Sequence, residues 1–148
     1  MTDIAISLKE FLANPSQYKE LHLWSKNIGE KEAKLLAEAM KVNKSISLLQ
    51  LACNQIGDKG VEYIAEALKV NNFLHLLNLS ATNIRDEGVK LLVEGLKNNK
   101  RVFSLDLSMN DIGAKGAKYV AEALEVNKYL SSLNLTWNHI GVGGVEFI

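Results

Sequence analysis

The side chains of this chain that are best suited to acid–base, nucleophilic or metal chemistry are three histidines and one cysteine. They are His22, His75, His139 and Cys53. A catalytic triad or a metal centre needs such groups close together in space. In the repeating pattern described next, the three imidazoles fall at three different positions, and no base neighbours the thiol in sequence. We therefore predict a free, partly buried thiol, no catalytic residue, no metal site and no cofactor.

A period of 28 residues runs through almost the whole chain and determines which side chains share a face. The units begin at Leu21, Leu49, Leu77 and Leu105, and an incomplete unit begins at Leu133. Leucine returns at the third position of each unit and isoleucine at the eighth, and another apolar residue precedes each unit by three places. Because side chains alternate faces along a strand, this first half of the unit predicts a short strand with two leucines on one face.

The second half of each unit changes to a helical period. Apolar residues recur at i, i+3, i+4 and i+7, as in Val61, Ile64, Ala65 and Leu68. Asp58 and Asp86 are candidates to cap the starts of their own helices. Asparagines near the helix ends predict left-handed terminal residues; they are Asn43, Asn71, Asn99 and Asn127. Strands stack about 4.8 Å apart whereas helices need about 10 Å, so the stack must curve with its strands on the inner side.

These residues carry a resemblance to leucine-rich repeat proteins of the ribonuclease-inhibitor-like type. The pattern LxLxxNxIGxxGxxxLAEALKxN is most complete as LQLACNQIGDKGVEYIAEALKVN, which starts at Leu49. It is also similar to the repeats of NOD-like receptors and of Ran GTPase-activating proteins. The resemblance implies an α/β fold, a right-handed solenoid that forms a segment of a horseshoe. Its parallel sheet would line the concave face and its helices the convex face.

The two ends of the chain differ in their repeat content. Residues 1–20 match half a repeat, and we predict a capping helix there from about Ile6 to Ala13. Residues 21–148 form the leucine-rich repeats, of which the last stops within its helix. We expect a fragment, a truncated reading frame, or a protein that self-associates through this uncapped carboxy-terminal end.

Composition limits the classes of partner. The 148 residues include 17 basic and 17 acidic side chains, so no net field attracts nucleic acid or an anionic membrane. No apolar run approaches the length of a membrane span. A single cysteine excludes an internal disulfide and favours a reducing compartment. We predict a cytoplasmic location, or the host cytoplasm if the protein is an effector.

The sixth position of each unit predicts a hydrogen-bonded ladder. An asparagine there offers one acceptor and two donors, and can therefore serve its own unit and the adjacent one. The column contains Lys26, Asn54, Thr82, Asn110 and Asn138. The threonine can still donate once, and the lysine is free to turn to solvent. In both departing units an asparagine stands one place later, which indicates either a tolerated defect or a loop displaced to meet a partner.

We expect the inner wall to hold the binding site, because exposed side chains on a rigid wall provide anchors for a protein partner. The candidate residues are His22, Trp24, Leu48, Gln50, Ala52, Leu76, Asn78, Ser80, Asp106, Ser108, Met109, Asn134, Thr136 and Trp137. Two alternatives stay open: Trp24 packs on the amino-terminal segment, and Trp137 shields the open end.

The predicted function is that of a non-enzymatic interaction module that binds a protein or peptide on its concave strand surface. The resemblance also allows a GTPase-activating protein of the Ran-directed type, although no turn residue here matches that role, and a sensor fragment of a NOD-like-receptor-type protein. Nucleic-acid and membrane partners are disfavoured by the balanced charge.

Overall fold

A computed structural model describes residues 4–145 of the chain, in which strands and helices alternate. The strands are β1 (Ile4–Ala5), β2 (Glu20–His22), β3 (Leu48–Gln50), β4 (Leu76–Asn78), β5 (Ser104–Asp106) and β6 (Ser132–Asn134). The α-helices are α1 (Leu8–Ala13), α2 (Glu30–Val42), α3 (Gly57–Leu68), α4 (Asp86–Leu96), α5 (Ala114–Val126) and α6 (Gly141–Val145), and a 3-10 turn spans Pro15–Gln17. The end of the fifth repeat, residues 146–148, lies outside the described residues.

The strands form one parallel sheet in chain order, and each strand is offset from the next by one repeat. Leu21 lies opposite Leu49, which lies opposite Leu77, and the same register continues to Leu105 and Leu133. Each helix packs on the helix of the next repeat along the outer side. This arrangement confirms the predicted solenoid, with its sheet on the concave face and its helices on the convex face.

The amino-terminal segment adds a strand that the sequence pattern did not predict. Ile4 and Ala5 pair with Glu20 and Leu21, so β1 covers the outer edge of β2. Helix α1 starts at Leu8, two residues after the predicted start, because Ser7 caps it by accepting the Glu10 amide at 3.0 Å. The side chain of Phe11 from this helix is fully buried.

The core is the stack of leucines and isoleucines at repeating positions. Leu21, Leu23 and Leu51 are fully buried, as are Ile84 and Ile112. Burial of each such side chain contributes about 1.5–3 kcal/mol. The helix stripes complete the core from the outer side, and the leucines of the fifth unit are only partly buried. The predicted period-two and helical faces are thus confirmed.

The helices begin differently from the prediction. Asp58 does not cap its own helix, and its Oδ1 accepts the Arg85 amide of the next repeat at 2.8 Å. Asp86 likewise accepts the amides of Gly113 and Gly116 at 2.7 and 2.9 Å. Because neighbouring helices start side by side, the free amides of one first turn lie beside the carboxylate of the preceding one. A Cβ at Gly116 would lie 2.5 Å from the Ile112 side chain and 2.7 Å from this carboxylate, which together explain the glycine.

The asparagines near the helix ends are not left-handed caps, which corrects the prediction. Asn43 and Asn127 have φ values of −71° and −79°, and all four asparagines are only 2–6% exposed. Asn71 shows the arrangement that all four share. Its Nδ2 donates to the Met40 carbonyl of the preceding repeat at 2.7 Å, while its Oδ1 accepts the Phe73 amide at 2.9 Å. These residues form a second buried ladder, which joins successive repeats.

Candidate functional site

A shallow depression lies on the inner wall at the second and third repeats. Leu48, Gln50, Leu76 and Asn78 line it together with Ser104 and Asp106 from the next strand, and its volume is about 220 Å³. Strands β3, β4 and β5 place these side chains, because alternate residues of each strand point away from the leucine core. The two leucines are partly exposed. The depression therefore combines an apolar floor with polar groups on one side.

Local hydrogen bonds hold the polar side chains of this wall in place. The Asn78 Oδ1 accepts the Ser80 amide at 2.8 Å, and the Gln50 Oε1 accepts the Ala52 amide at 3.1 Å. The Asp106 Oδ1 accepts the Ser108 amide at 2.9 Å in the same way. Each side chain is thereby oriented before any partner arrives.

The amide nitrogens of this wall remain available for a partner. Within residues 4–145, no hydrogen bond uses the Gln50 Nε2 or the Asn78 Nδ2. Asp106 is more fully engaged, because its Oδ2 accepts the Asn134 Nδ2 at 3.2 Å. The wall thus offers hydrogen-bond donors beside Leu48 and Leu76, as a main-chain carbonyl would require.

The fourth position of each unit contributes less surface than the sequence suggested. Ala52 and Ser108 are only 5% and 7% exposed, and the Ser108 hydroxyl donates to Asp106 at 2.6 Å. Ser80 is partly exposed and Thr136 is exposed. The predicted contact residues at this position therefore differ in how much of them a partner could reach.

The turns after the strands display large apolar side chains. Trp24 and Met109 are each 60% exposed, and Trp137 is 83% exposed. Trp24 is thus not packed away on the amino-terminal segment. Cys53 is exposed as well, which corrects the expectation of a partly buried thiol. Cys53, Met109 and Trp137 stand at the fifth position, which is left-handed in every unit, with φ between 51° and 58°. Trp24 stands at the fourth position of the first unit.

The ladder at the sixth position forms where asparagine is present. The Asn54 Oδ1 accepts the amides of Lys26 and Ile28 in the preceding unit at 3.1 and 2.8 Å, and its Nδ2 donates to the Leu23 carbonyl at 2.7 Å. Asn110 makes the corresponding contacts to the third unit. Asn138 continues the ladder by accepting the Ile112 amide at 3.0 Å.

The ladder is interrupted between the second and third units. The Thr82 hydroxyl donates to the Leu79 carbonyl of its own unit at 2.6 Å. Among the described residues, no hydrogen bond joins this side chain to the second unit. The displaced asparagines, Asn27 and Asn83, have φ values of 56° and 60°. Asparagine is favoured in that left-handed region, so backbone conformation alone accounts for them.

The histidines are distributed over the surface and do not meet. The His22 Nε2 lies 2.8 Å from a carboxylate oxygen of Glu20, and the His139 Nε2 lies 3.6 Å from Asp111. Across residues 4–145, no group of three or more potential metal ligands is found. In the same part of the chain, no helix has the length and apolar character to cross a membrane.

A further exposed surface was not predicted. Phe73, Phe103 and Tyr129 lie on the segments that lead from helix to strand, and they are 42%, 45% and 51% exposed. The leucine pattern treats these segments as connections, so it assigns them no role. The excess of basic over acidic residues in these segments is the sequence signal that could have drawn attention to them.

Comparison with known proteins agrees with this architecture. The family model described as Leucine Rich repeat matches residues 42–65, 70–93, 103–121 and 126–148, which together are more than half of the chain. No curated relative matches the chain.

Two of the solved structures that match the chain illustrate the shared fold. Leiomodin-1 Actin-Binding Site 2 has a TM-score of 0.80 and 23% identity over 95% of this chain and 82% of that one. The tropomodulin C-terminal domain of Caenorhabditis elegans has a TM-score of 0.78 and 16% identity over 95% of this chain and 85% of that one. Together with the family match, the fold shows that the chain belongs to the leucine-rich repeat family.

Proposed function

We propose that this protein is a non-enzymatic interaction module that binds a protein or peptide segment on its concave wall. The observation that supports this most directly is the depression at β3, β4 and β5. There Leu48 and Leu76 lie beside the amide nitrogens of Gln50 and Asn78, to which no other described residue forms a hydrogen bond. Partly exposed apolar side chains gain free energy when a partner covers them, at about 25 cal/mol per Å².

The bound segment would place an apolar side chain over the two leucines. Its main-chain carbonyl groups would accept hydrogen bonds from Gln50 and Asn78. Because local hydrogen bonds already orient these side chains, little rotamer freedom is lost on binding. Trp24, Met109 and Trp137 flank the wall as further anchors for a larger partner.

Selection from a random peptide display library tests the proposal. We expect enriched peptides that lose binding to Leu76→Arg and to Asn78→Arg. The matched control is Leu35→Arg, since Leu35 is 55% exposed on the convex side and receives the same substitution. If the peptides still bind the Leu76→Arg variant but no longer bind the Leu35→Arg variant, the assignment of the binding site to the concave wall is wrong.

Actin is the first defined protein to test, because the similar leiomodin-1 structure is that of an actin-binding site. Cosedimentation with actin filaments, carried out with the unmodified chain and with Leu76→Arg, gives a direct answer. If actin binds the unmodified chain but not the Leu76→Arg variant, actin is a partner of the concave wall. No cosedimentation would exclude filaments and leave the peptide selection as the test of the surface itself.

Several finer predictions remain. The ribonuclease-inhibitor-like subtype is supported by the 28-residue period and by the lengths of α2, α3, α4 and α5, which are 11–13 residues. A Ran-directed GTPase-activating function would accelerate phosphate release from a GTPase, and a panel of GTPases without acceleration would dismiss it. A role as a NOD-like-receptor sensor fragment, self-association and a cytoplasmic location stay predictions.

A further inference from the structure

The segments that lead from each helix to the next strand form one edge of the solenoid, called here the helix-to-strand edge. It comprises residues 41–47, 69–75, 97–103 and 125–131. Its charged residues are the bases Lys41, Lys44, Lys69, Lys97, Lys100, Arg101 and Lys128 and the single acid Glu125. The opposite edge, residues 24–31, 52–59, 80–87 and 108–115, carries five bases and five acids. A chain with no net charge therefore concentrates positive charge on one edge.

Part of this charge is free to meet a partner. Lys41 and Lys69 pair with Glu38 and Glu66 at 3.1 and 2.7 Å. The structure, within its described residues, shows no ion pair for the four exposed bases Lys44, Lys97, Lys100 and Arg101. The carboxy-terminal ends of four helices offset about half a charge each. Glu94 and Glu122 are exposed at the same repeat position as Glu38 and Glu66 and reduce the positive charge further. The adjacent bases Lys100 and Arg101 remain as an exposed pair without a carboxylate partner among the described residues.

Aromatic side chains are interleaved with these bases. Phe73, Phe103 and Tyr129 are between 42% and 51% exposed, and Val70 beside them is 56% exposed. The rings of His75 and Phe103, on neighbouring repeats, lie 5.9 Å apart. Exposed aromatic residues next to arginine have the composition of binding hot spots.

The second asparagine ladder holds this edge rigid from below. Asn71, Asn99 and Asn127 are buried, and each accepts the amide of an exposed residue two places later. The acceptor distances are 2.9 Å for Phe73, 2.8 Å for Arg101 and 2.8 Å for Tyr129. A partner would therefore meet a surface whose backbone is already ordered, which lowers the entropic cost of binding.

We propose that the helix-to-strand edge is a second interaction surface, and that it binds an acidic peptide segment with apolar side chains. The carboxylates would pair with Lys100 and Arg101, and the apolar groups would cover Phe103 and Tyr129. The adjacent, exposed Lys100 and Arg101 suit the carboxylates of a short acidic peptide. Two bases are few beside the six to ten phosphate contacts of a typical nucleic-acid site or the basic cluster of a membrane-binding segment. This proposal does not depend on the concave wall.

Fluorescence anisotropy with the full chain tests it. The probe is a short labelled peptide in which glutamates alternate with leucine and phenylalanine, and its lysine-substituted counterpart is the control. We expect binding of the acidic peptide alone, weakened by added salt. The double substitution Lys100→Glu/Arg101→Glu should lower the affinity about tenfold or more, which corresponds to about 1.4 kcal/mol. Phe103→Ser/Tyr129→Ser should lower it as well.

Matched substitutions elsewhere complete the experiment. Lys31→Glu/Lys118→Glu reverses two exposed charges away from the edge, and Leu76→Arg blocks the concave wall, so neither should change the affinity. Far-UV circular dichroism checks that every variant is folded. The proposal is overturned if the acidic peptide does not bind, or if Lys100→Glu/Arg101→Glu leaves its binding unchanged. Tighter binding of polyuridylate or of phosphatidylserine vesicles would overturn it too.

Discussion

The ladder at the sixth position yields the sharpest prediction, because one rung is complete and the neighbouring rung is interrupted. Asn110 is 5% exposed, and its Oδ1 accepts the amides of Thr82 and Ile84, each at 3.0 Å. Its Nδ2 donates to the carbonyls of Leu79 and Leu107 at 2.9 and 3.0 Å. Asn110→Ala would leave two amides of the third repeat without an acceptor.

An unsatisfied buried donor costs about 1–3 kcal/mol. Two such amides lose their acceptor in Asn110→Ala, and hydration offsets part of the cost. We therefore expect the free energy of unfolding to fall by about 2–4 kcal/mol. Thr82→Ala removes a single hydroxyl donor. The Leu79 carbonyl that accepted its hydrogen bond still accepts one from the Asn110 Nδ2. We therefore expect a loss of only about 1 kcal/mol for Thr82→Ala, the net worth of one hydrogen bond.

Urea unfolding followed by far-UV circular dichroism measures both losses. The slope of the free energy of unfolding against urea should be the same for all variants, so that midpoints report stability directly. The converse variant, Thr82→Asn, should raise the free energy of unfolding by about 1–2 kcal/mol, because it supplies an acceptor for the Asn54 and Ile56 amides. Equal losses for Asn110→Ala and Thr82→Ala would refute the view that bonds between repeats set the difference.

Three other predictions concern single features. Asp86→Ala should cost about 1–2 kcal/mol by uncapping the next helix, whereas Asp111→Ala, exposed at a weak ion pair, should change the urea midpoint little; equal effects would contradict capping between repeats. Gly95→Ala should cost about 1–3 kcal/mol, because the new Cβ would lie 2.5 Å from a backbone oxygen of the preceding helix. Gly143→Ala, with open space around it, is the control, and a thermal melt in which both variants match the parent would show that packing at Gly95 tolerates a methyl group. Both tryptophans should be quenched by iodide almost as strongly in the folded chain as in urea, since they are 60% and 83% exposed; strong protection in the folded chain would contradict these exposures.

The architecture could be predicted because the same short pattern is written five times. Leu49 and Leu51 indicate the buried face of a strand. Val61, Ile64 and Leu68 indicate the buried face of a helix. The secondary structure of each unit can therefore be predicted from that unit alone. Equal spacing then requires neighbouring units to pair in register. The strand β1 escaped prediction because two residues at the start of the chain carry no period.

The proposed binding surface could be predicted only in outline. Strand alternation placed Leu48, Leu76 and Asn78 on the inner wall without coordinates. How much of each candidate side chain is exposed came only from the folded structure, in which Ala52 and Ser108 are buried and Trp137 is exposed. The helix-to-strand edge was missed because its charge accumulates across four separate segments, and no single segment shows it.

The sequence by itself determined the repeating fold, since an apolar period is a local property that every unit expresses independently. The tertiary structure decided which polar groups serve which repeat. Asp86 caps a helix 28 residues further on, and Asn71 joins two units through its buried amide. The local sequence does not show whether a polar side chain forms its hydrogen bond within its own unit or with a neighbouring unit. The distances between stacked units decide this.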